Sequence, residues 1–563
     1  MRLWLLLLLR LCQAPTVVKP GTTVKTTTGT LEGTDEFVVD KTVTSFLGVP
    51  FAEPPVDSNR FRPPIPKKAW KGNFKANKLA LACYQEADGT FGTFWGSSMW
   101  NANTNRSEDC LQLNMWVPKN GHKLAVMVWL FGGGFWYGSP SLTLYDGRVL
   151  AAQGNVVVVN INYRVGPFGF LFLDHPEIPG NMGLLDQQLG LRWIQQNIAS
   201  FGGDPERVTI FGESAGAASV VAHMIATDSK GLFRNGILES GSLDNSWAMD
   251  APKKAERKSW QLVRAVGCNL EEKVTEKVIE CLRQRPAHNL SASIWSISTQ
   301  FLEFPLVIVS KDDNFFKTID AFKALRDGNY SKGVDLIIGL NQDEGNFWNI
   351  YYLTPFLKKW NEADPPRINQ SQFLSSVEKA FARFPYSVRQ GVAFNYWDTE
   401  CVQNGNADSF YMDKVNQMVG DSFFSCDALW FARQLERRNY SRAYVYYFAQ
   451  RSSTNPWPRW TGVMHGYEIE FVFGVPLRNV SDYTAHEQRV SKAIIQLWTS
   501  FAADSVPSTA ALSMRSWPPY KEGSDAIWLR LGGQPTIVQI QTSSLKKSEC
   551  RVWRIFQDVQ TLQ

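Results

Sequence analysis

The residues best suited to chemistry form the pentapeptide Gly-Glu-Ser-Ala-Gly at 212–216. The apolar run Val208 to Phe211 precedes it, and a small-residue segment with helical character follows. A strand, a tight turn and a helix in this order expose the central serine as a nucleophile, and the flanking glycines leave room for the turn. The alternative is an ordinary Gly/Ser loop, because such pentapeptides also occur by chance. The pattern therefore predicts Ser214 as a nucleophile only if suitable partners exist elsewhere in the chain.

Candidate partners for Ser214 exist downstream. A nucleophilic serine needs a base and an acid that orients that base. Of the six histidines, His465 is the best placed, because it follows a Pro/Trp-rich loop at 455–460. Glu344 lies just past the apolar run Val334 to Leu340, and its neighbour Asp343 is the alternative acid. The chain order serine, acid, histidine is the order that the α/β-hydrolase fold requires.

The triple glycine at 132–134 is a candidate oxyanion hole. It follows an apolar run, and glycines there let backbone N–H groups point into a site beside the N–H of Ala215. The alternative is a flexible turn. The serine motif favours the oxyanion interpretation, with Gly133 and Gly134 as donors.

Short, fully apolar runs alternate with amphipathic segments along the chain. Such runs are typical of buried parallel strands, and the alternation predicts an α/β fold with a large, mostly parallel, twisted central sheet and helices on both faces. Function then belongs at the carboxyl ends of the strands, where the serine motif lies. The predicted strands are Leu124 to Phe131, Val156 to Ile161, Val208 to Phe211, Asn235 to Leu238, Val334 to Leu340 and Ala443 to Phe448, and the clearest helix is Gly183 to Ile198.

Residues 1–14 have the pattern of a short secretory signal peptide, with Arg2, an apolar run and then Leu-Cys-Gln-Ala. The run is too short to span a bilayer, and Pro15 is unfavourable for cleavage directly before it, so the cleavage site stays open. Residues 15–563 contain no linker or repeat and are interpreted as one catalytic domain. The predicted product is secreted and extracellular, with no membrane anchor.

Composition narrows the classes of partner. The formal charge of +5 falls to +3 without the two arginines of the signal peptide, which together with the lack of a Lys/Arg cluster argues against nucleic acid. The 21 tryptophans suggest an aromatic-lined site, with core packing as the alternative. The predicted chemistry needs no cofactor and no metal. Six sequons are candidate glycosylation sites in a secreted chain: Asn105, Asn289, Asn329, Asn369, Asn439 and Asn479.

The chain has eight cysteines, and secretion makes pairing expected. The segment from Cys83 to Cys110 is rich in Gly, Asn and aromatic residues, as in a long loop that could line a pocket. Spacing alone does not fix the pairing. Removal of Cys12 with the signal peptide leaves seven cysteines, so one should be unpaired.

Several longer motifs together point to a known family. They are Ser-Glu-Asp-Cys-Leu at 107–111, Gly-Gly-Gly-Phe at 132–135, Phe-Gly-Glu-Ser-Ala-Gly at 211–216, Asp-Glu-Gly at 343–345 and His-Gly-Tyr-Glu-Ile-Glu-Phe-Val-Phe-Gly at 465–474. Over essentially its whole mature length the chain resembles the cholinesterase branch of the type-B carboxylesterases, and within it the secreted, nematode-like acetylcholinesterases of invertebrates. The resemblance implies Ser214 as nucleophile, His465 as base and then acid, and Glu344 as its orienting carboxylate. It implies Gly133, Gly134 and Ala215 as the oxyanion donors.

The resemblance also implies a substrate site for acetylcholine and other choline esters. Trp100, in Ser-Met-Trp-Asn at 98–101, matches the tryptophan that binds the quaternary ammonium group in the family. The remaining implied choline-binding residues are Glu213, Tyr145, Phe347, Trp457 and Tyr467; the acyl pocket is implied to contain Trp247, Leu302, Phe304 and Trp348; and the rim of the gorge is implied to contain Asp88 and Trp295.

The implied acyl pocket departs from the vertebrate acetylcholinesterase pattern at two positions. Leu302 replaces a phenylalanine and would enlarge the pocket, whereas Trp348 replaces another and would shrink it. We expect acetyl esters to remain preferred, with some tolerance of longer acyl groups. At the rim, Glu86 replaces a tyrosine that is typical of the vertebrate enzymes.

By the same resemblance the disulfides are Cys83 with Cys110, Cys268 with Cys281 and Cys426 with Cys550, which leaves Cys401 unpaired. The family's tetramerising C-terminal extension is not found in this sequence, so a monomer or a non-covalent homodimer is expected. Two alternatives to a choline esterase remain: a general carboxylesterase without choline preference, and a catalytically inactive adhesion protein of the same fold.

Overall fold

The computed structural model describes residues 22–357, 366–397, 407–512, 516–523 and 526–560. The predicted signal peptide at 1–14 and the implied free thiol of Cys401 lie outside the described residues. No helix in the described part of the chain is long and apolar enough to cross a membrane.

In the described chain, eleven strands form one sheet. The strands are β1 Thr34–Val38, β2 Lys41–Pro50, β3 Gln112–Pro118, β4 Leu124–Leu130, β5 Val157–Ile161, β6 Gly203–Glu213, β7 Asn235–Glu239, β8 Asp335–Asn341, β9 Ala443–Phe448, β10 Trp528–Leu531 and β11 Val538–Gln541. Their spatial order is β11-β10-β9-β8-β7-β6-β4-β5-β3-β2-β1. Neighbouring strands from β10 through β5 are parallel, while β11 at one edge and β3, β2 and β1 toward the other are antiparallel to their neighbours.

All six apolar runs that the sequence marks as buried strands are strands of this sheet, and the fold class is confirmed. They form β4 to β9, whose residues are almost entirely buried. Strands covered on both faces need apolar side chains on both faces, which is why their sequences do not alternate. The carboxyl ends of β6 and β8 lead directly into the serine and Asp-Glu motifs.

Helices cover the sheet. The predicted helix at 183–198 is α4, where glycine at 190 lies against Ile161 of β5. The helices are α1 Trp95–Ser98, α2 Arg148–Gly154, α3 Gly166–Phe170, α4 Met182–Asn197, α5 Ala215–Ile225, α6 Pro252–Ala265, α7 Glu276–Gln284, α8 Ala287–Ala292, α9 Ala321–Asp327, α10 Glu344–Trp348, α11 Gln370–Ala380, α12 Tyr386–Asn395, α13 Ala407–Gly420, α14 Cys426–Arg438, α15 Ile469–Val472, α16 Val475–Arg478, α17 Ala485–Asp504 and α18 Lys547–Gln560.

Three disulfides join the pairs that the family resemblance implies. Cys83–Cys110 closes the aromatic-rich loop, and Cys268–Cys281 closes a short loop between α6 and α7. Cys426–Cys550 ties the C-terminal helix α18 to the start of α14. All six sequon asparagines are exposed, so each is accessible to a glycan.

Loss of the C-terminal disulfide should cost more stability than loss of the short one. Cys426–Cys550 spans 124 residues and Cys268–Cys281 spans 13. In the loop-entropy description, replacing both cysteines of the long bridge with alanine lowers the free energy of unfolding by about 2 kcal/mol more than the same change in the short bridge. Urea unfolding of the two double variants measures this difference, and equal losses would contradict it.

Candidate active site

The turn between β6 and α5 places Ser214 at the carboxyl edge of the sheet. Its backbone has φ of 55° and ψ of −119°, a conformation that residues with a side chain rarely adopt. The N–H of Ser214 donates a hydrogen bond of 2.8 Å to the carbonyl oxygen of Glu239. A Cβ at Gly216 would lie 1.9 Å from the carbonyl oxygen of Leu130. The motif glycine is therefore required by the close approach of α5 to β4.

His465 is oriented by Glu344. Its Nδ1 lies 2.7 Å from Glu344 Oε2, within hydrogen-bond distance, and the imidazole is buried. The other carboxylate oxygen, Oε1, accepts hydrogen bonds from Ser240 Oγ at 2.5 Å and from the N–H of Asn341 at 2.7 Å. Glu344 is thus held on both oxygens, as an orienting carboxylate must be.

Asp343, the alternative acid, has a different role. Its Oδ2 accepts a hydrogen bond of 2.8 Å from the N–H of Val463, and its Oδ1 accepts one of 2.9 Å from Asn416 Nδ2. These contacts hold the loop that carries His465. The geometry therefore favours Glu344 over Asp343 as the acid.

Ser214 and His465 face one cavity together with the triple glycine and several aromatic residues. Gly133 and Gly134 have φ of 112° and 56°, and their N–H groups have no protein acceptor within the described residues. Ala215 begins α5, so its N–H lacks an acceptor within the helix. The cavity is lined by Trp100, Gly132, Gly133, Gly134, Tyr137, Gly138, Leu142, Tyr145, Glu213, Ser214, Phe347, Trp348, His465 and Gly466.

A second carboxylate approaches the imidazole. Glu213 Oε1 lies 3.0 Å from His465 Nε2. Burial acts to lower the pKa of His465, but the carboxylates of Glu213 and Glu344 outweigh burial and raise the pKa above the usual value for histidine. The site therefore stabilises the imidazolium ion that forms when a nucleophile gives up its proton.

Two further buried carboxyl groups, those of Glu239 and Glu468, interact with the charge of Glu213. Burial raises the pKa of Glu239 to about 8, although Trp498 donates its indole N–H to that carboxylate at 2.8 Å. Burial and the charge of Glu213 also raise the pKa of Glu468, which Asn341 contacts through its side-chain amide. The sequence analysis assigns no role to Glu239 or to Glu468, although Glu468 lies in the motif at 465–474.

The implied choline-binding residues divide between the cavity and the structure behind it. Trp100, Tyr145, Glu213 and Phe347 line the cavity with Ser214. Tyr467 packs edge-on against the Trp100 indole at 6.3 Å between ring centroids, and it lines a neighbouring cavity instead. Trp457 packs against the rings of Phe91 and Phe94 at 5.5 and 4.8 Å. Tyr467 and Trp457 therefore support the cavity wall.

Three of the four implied acyl-pocket residues form one aromatic cluster. The Phe304 ring lies 6.1 Å from that of Trp247 and 5.9 Å from that of Trp348, measured between centroids. A Cβ at Gly134 would lie 3.1 Å from the Phe304 ring, which places this ring against the glycine loop. Leu302 is buried two residues earlier, with φ of 50°. Of the four residues, Trp348 lines the cavity itself.

The implied rim residues lie apart from the cavity lining. Asp88 accepts a hydrogen bond of 2.9 Å from the hydroxyl of Tyr351. Trp295 is 49% exposed and packs edge-on against Trp136 at 4.8 Å. An exposed indole and a carboxylate are both groups that attract a cationic ligand.

Sequence reasoning missed three aromatic residues at this site. Tyr137 lines the cavity, Phe424 lies 4.6 Å from the His465 ring, and Tyr351 stacks on Phe347 at 4.7 Å. The four-residue spacing of Phe347 and Tyr351 is a helical signal that could have identified Tyr351. Phe424 lies far from the motifs along the chain and carries no such signal.

The comparison with known proteins agrees with this architecture. A model of the carboxylesterase family matches residues 20–553. The chain is 50% identical to the protein named acetylcholinesterase 4 of Caenorhabditis briggsae, over 95% of this chain and 90% of that one. It is 39% identical to the acetylcholinesterase of Bungarus fasciatus, over 98% and 90%, and 39% identical to the cholinesterase of Mus musculus, over 95% and 86%.

The fold and the site define a serine hydrolase of carboxylic esters. The chain belongs to the carboxylesterase family, and its similarity to cholinesterases extends over nearly its whole length.

Replacing Glu344 with glutamine should abolish most activity, because an amide cannot stabilise the imidazolium ion. We expect kcat/KM for a neutral aryl acetate to fall by about 10³- to 10⁴-fold. Asp343→Asn is the matched control, since asparagine keeps one acceptor oxygen for the loop, and its loss should stay below about tenfold. A larger loss in Asp343→Asn than in Glu344→Gln would reverse the assignment of the acid.

Replacing Glu213 with glutamine should change the pH profile. The base must be neutral, so kcat/KM falls as the pH drops through the pKa of His465. Since Glu213 helps to raise that pKa, its removal lowers the pKa and moves the acid limb to lower pH. The measurement is kcat/KM for a neutral ester from pH 5 to 10 in both proteins, and an acid limb that stays in place would contradict the contact.

Proposed function

We propose that this protein hydrolyses acetylcholine to choline and acetate through an acetyl-serine intermediate. The observation that carries the proposal is a single cavity that holds Ser214, His465, Trp100 and Glu213. A Cβ at Gly466 would lie 3.0 Å from the Trp100 indole and 3.7 Å from Glu213 Oε1, so both groups lie next to the same glycine. An indole face with a nearby carboxylate attracts a quaternary ammonium ion.

In the first half-reaction, Ser214 Oγ attacks the ester carbonyl carbon while His465 takes the hydroxyl proton. Glu344 holds the imidazole and stabilises its positive charge. The N–H groups of Gly133, Gly134 and Ala215 stabilise the oxyanion. The tetrahedral intermediate collapses by cleavage of the bond to the choline oxygen, which receives the proton from His465.

In the second half-reaction, water takes the place of choline. His465 removes a proton from the water as its oxygen attacks the acetyl carbon, and the same oxyanion donors act again. Collapse breaks the bond to Ser214 Oγ, which recovers the proton, and acetate leaves. Neither step needs a cofactor.

The aromatic cluster around Trp348 and Phe304 supports a preference for small acyl groups. Its two rings lie beside the imidazole and the glycine loop, so they bound the space next to the reacting carbonyl. Leu302 offers more room than an aromatic side chain, which supports some turnover of longer choline esters. One methylene changes selectivity by about 1 to 3 kcal/mol, so the preference is graded.

We propose that the enzyme is secreted and extracellular, which the three disulfides and the exposed sequon asparagines support. A monomer or a non-covalent homodimer is proposed as its oligomeric state. Asp88 and Trp295 are proposed as a rim contact for the substrate cation.

Replacing Trp100 with alanine should affect choline esters far more than neutral esters. Loss of a cation–π contact of about 2 kcal/mol predicts a fall of about 30-fold in kcat/KM for acetylthiocholine and butyrylthiocholine, against less than about threefold for phenyl acetate. Trp95→Ala is the control, because this exposed tryptophan lies in the same loop.

An equal loss on all three substrates in Trp100→Ala would favour a general carboxylesterase. A protein with no esterase activity that Ser214→Ala abolishes would instead be a non-catalytic protein of this fold, since hydrolysis through an acyl-serine requires that hydroxyl.

A further inference from the structure

The geometry points to Lys258 as a positioning residue: we propose that its ammonium group fixes the loop Leu302 to Phe304 and thereby sets the acyl chain that the enzyme accepts. The inference rests on the proposed esterase function. Lys258 lies on α6, outside the cavity lining, and touches no reacting atom. Its action on selectivity therefore passes through the loop.

Lys258 is a buried cation with three acceptors. Its side chain is 3% exposed, and its Nζ donates to Asp250 Oδ2 and to the carbonyl oxygen of Phe304, each at 2.7 Å. The third neighbour is Glu303 Oε1 at 3.1 Å. An ammonium group has three donors, so every donor of Lys258 has a partner, and two of the three partners belong to the acyl loop.

The loop that Lys258 contacts has a strained backbone. Leu302 has φ of 50°, in the left-handed region, which costs free energy for a leucine. Glu303 closes the loop on itself, because its Oε2 accepts the N–H of Gln300 at 3.1 Å and its own N–H donates to the Gln300 carbonyl at 3.1 Å. Strain of this kind persists only where the surroundings fix the chain on several sides.

The charge of Glu303 supports this tie. Burial acts to raise the pKa of its carboxyl group, but Lys258 and Lys254 outweigh burial and lower the pKa to about 2. Glu303 is therefore an anion at every pH at which the enzyme is assayed. The charge that Glu303 contributes to the contact with Lys258 is therefore constant across the assay range.

The partner of Lys258 outside the loop, Asp250, belongs to a regular secondary-structure element. Asp250 belongs to the short strand Met249–Asp250, which pairs in parallel with Ile308–Val309 just after the loop. Lys258 therefore connects the loop to the paired strand that contains Asp250. Phe304, the residue whose carbonyl it holds, packs its ring against Gly134 and Trp348. A displacement of this carbonyl moves a wall of the acyl space.

Lys254 provides a matched comparison one helical turn earlier. Its Nζ also lies 2.7 Å from an oxygen of Asp250 and 2.7 Å from Glu303 Oε1, but its side chain is 37% exposed. The carbonyl of Phe304 is the contact that distinguishes Lys258. The two lysines therefore separate the effect of the bond to the Phe304 carbonyl from the effect of a positive charge beside Asp250 and Glu303.

The test is the ratio of kcat/KM for butyrylthiocholine to that for acetylthiocholine. We expect Lys258→Met to raise the ratio by about tenfold, because a freed Phe304 admits longer chains. Lys254→Met should leave it within about twofold, and Lys258→Arg, which keeps the donors, should stay closer to the parent than Lys258→Met. Inhibition by tetramethylammonium should be the same in all of these variants, since the choline side is not touched.

An unchanged ratio in folded Lys258→Met, even with a lowered melting temperature, would overturn the proposal and leave Lys258 a purely structural residue. If that variant does not fold, Glu303→Gln replaces it, with an expected increase of about threefold, and an unchanged ratio there overturns the proposal equally. Phenyl butyrate and phenyl acetate are assayed in parallel. They report the acyl ratio even if the choline preference fails, so the two failures are distinguishable.

Discussion

The positive φ of Ser214 is maintained by close packing of the main chain around the turn between β6 and α5. The carbonyl oxygen of Leu130 lies so close to this turn that Gly216 cannot carry a side chain. The N–H of Ser214 bonds to the carbonyl of Glu239 on the next strand. Position in the sheet thus fixes the nucleophile, and the same turn sets the N–H of Ala215 and the side chain of Glu213. The free energy gained by packing around the turn compensates for the strain of this backbone conformation.

Once the turn is fixed, electrostatics shape the site. Glu213, Glu239, Glu344 and Glu468 are all buried, and two of them, Glu213 and Glu344, contact His465, although the chain as a whole is weakly basic. Buried carboxyl groups without cations remain protonated or seek a cation, as the raised pKa of Glu239 reflects. The carboxylates of Glu213 and Glu344 favour an imidazolium ion at His465. The local field, not the net charge, therefore makes this cavity favourable for a cation.

How far the sequence predicts this structure follows from the range of each signal. Parallel strands such as β4 and β8 are continuous apolar runs, so local composition identifies them. Strand β1 at the edge and its neighbour β2 mix Thr, Asp and Lys with apolar residues and give no such run. At the site, chain order selects serine, acid and histidine, with Glu344 as the acid and adjacent Asp343 as the alternative. The backbone direction after β8, which turns Glu344 toward His465, separates the two residues.

The size of the side chains in the acyl pocket does not by itself predict the size of the pocket, because the backbone position also matters. Replacement of an aromatic residue by Leu302 enlarges a pocket only if the backbone stays in place, and here that backbone is strained and tied from outside. The position of Phe304 depends on a carbonyl bonded to Lys258, which lies 46 residues away along the chain. Sequence motifs identify the residues that face a ligand, but they do not identify a buried cation such as Lys258 behind those residues. Selectivity in this fold is therefore determined jointly by the wall and by the contacts that hold it.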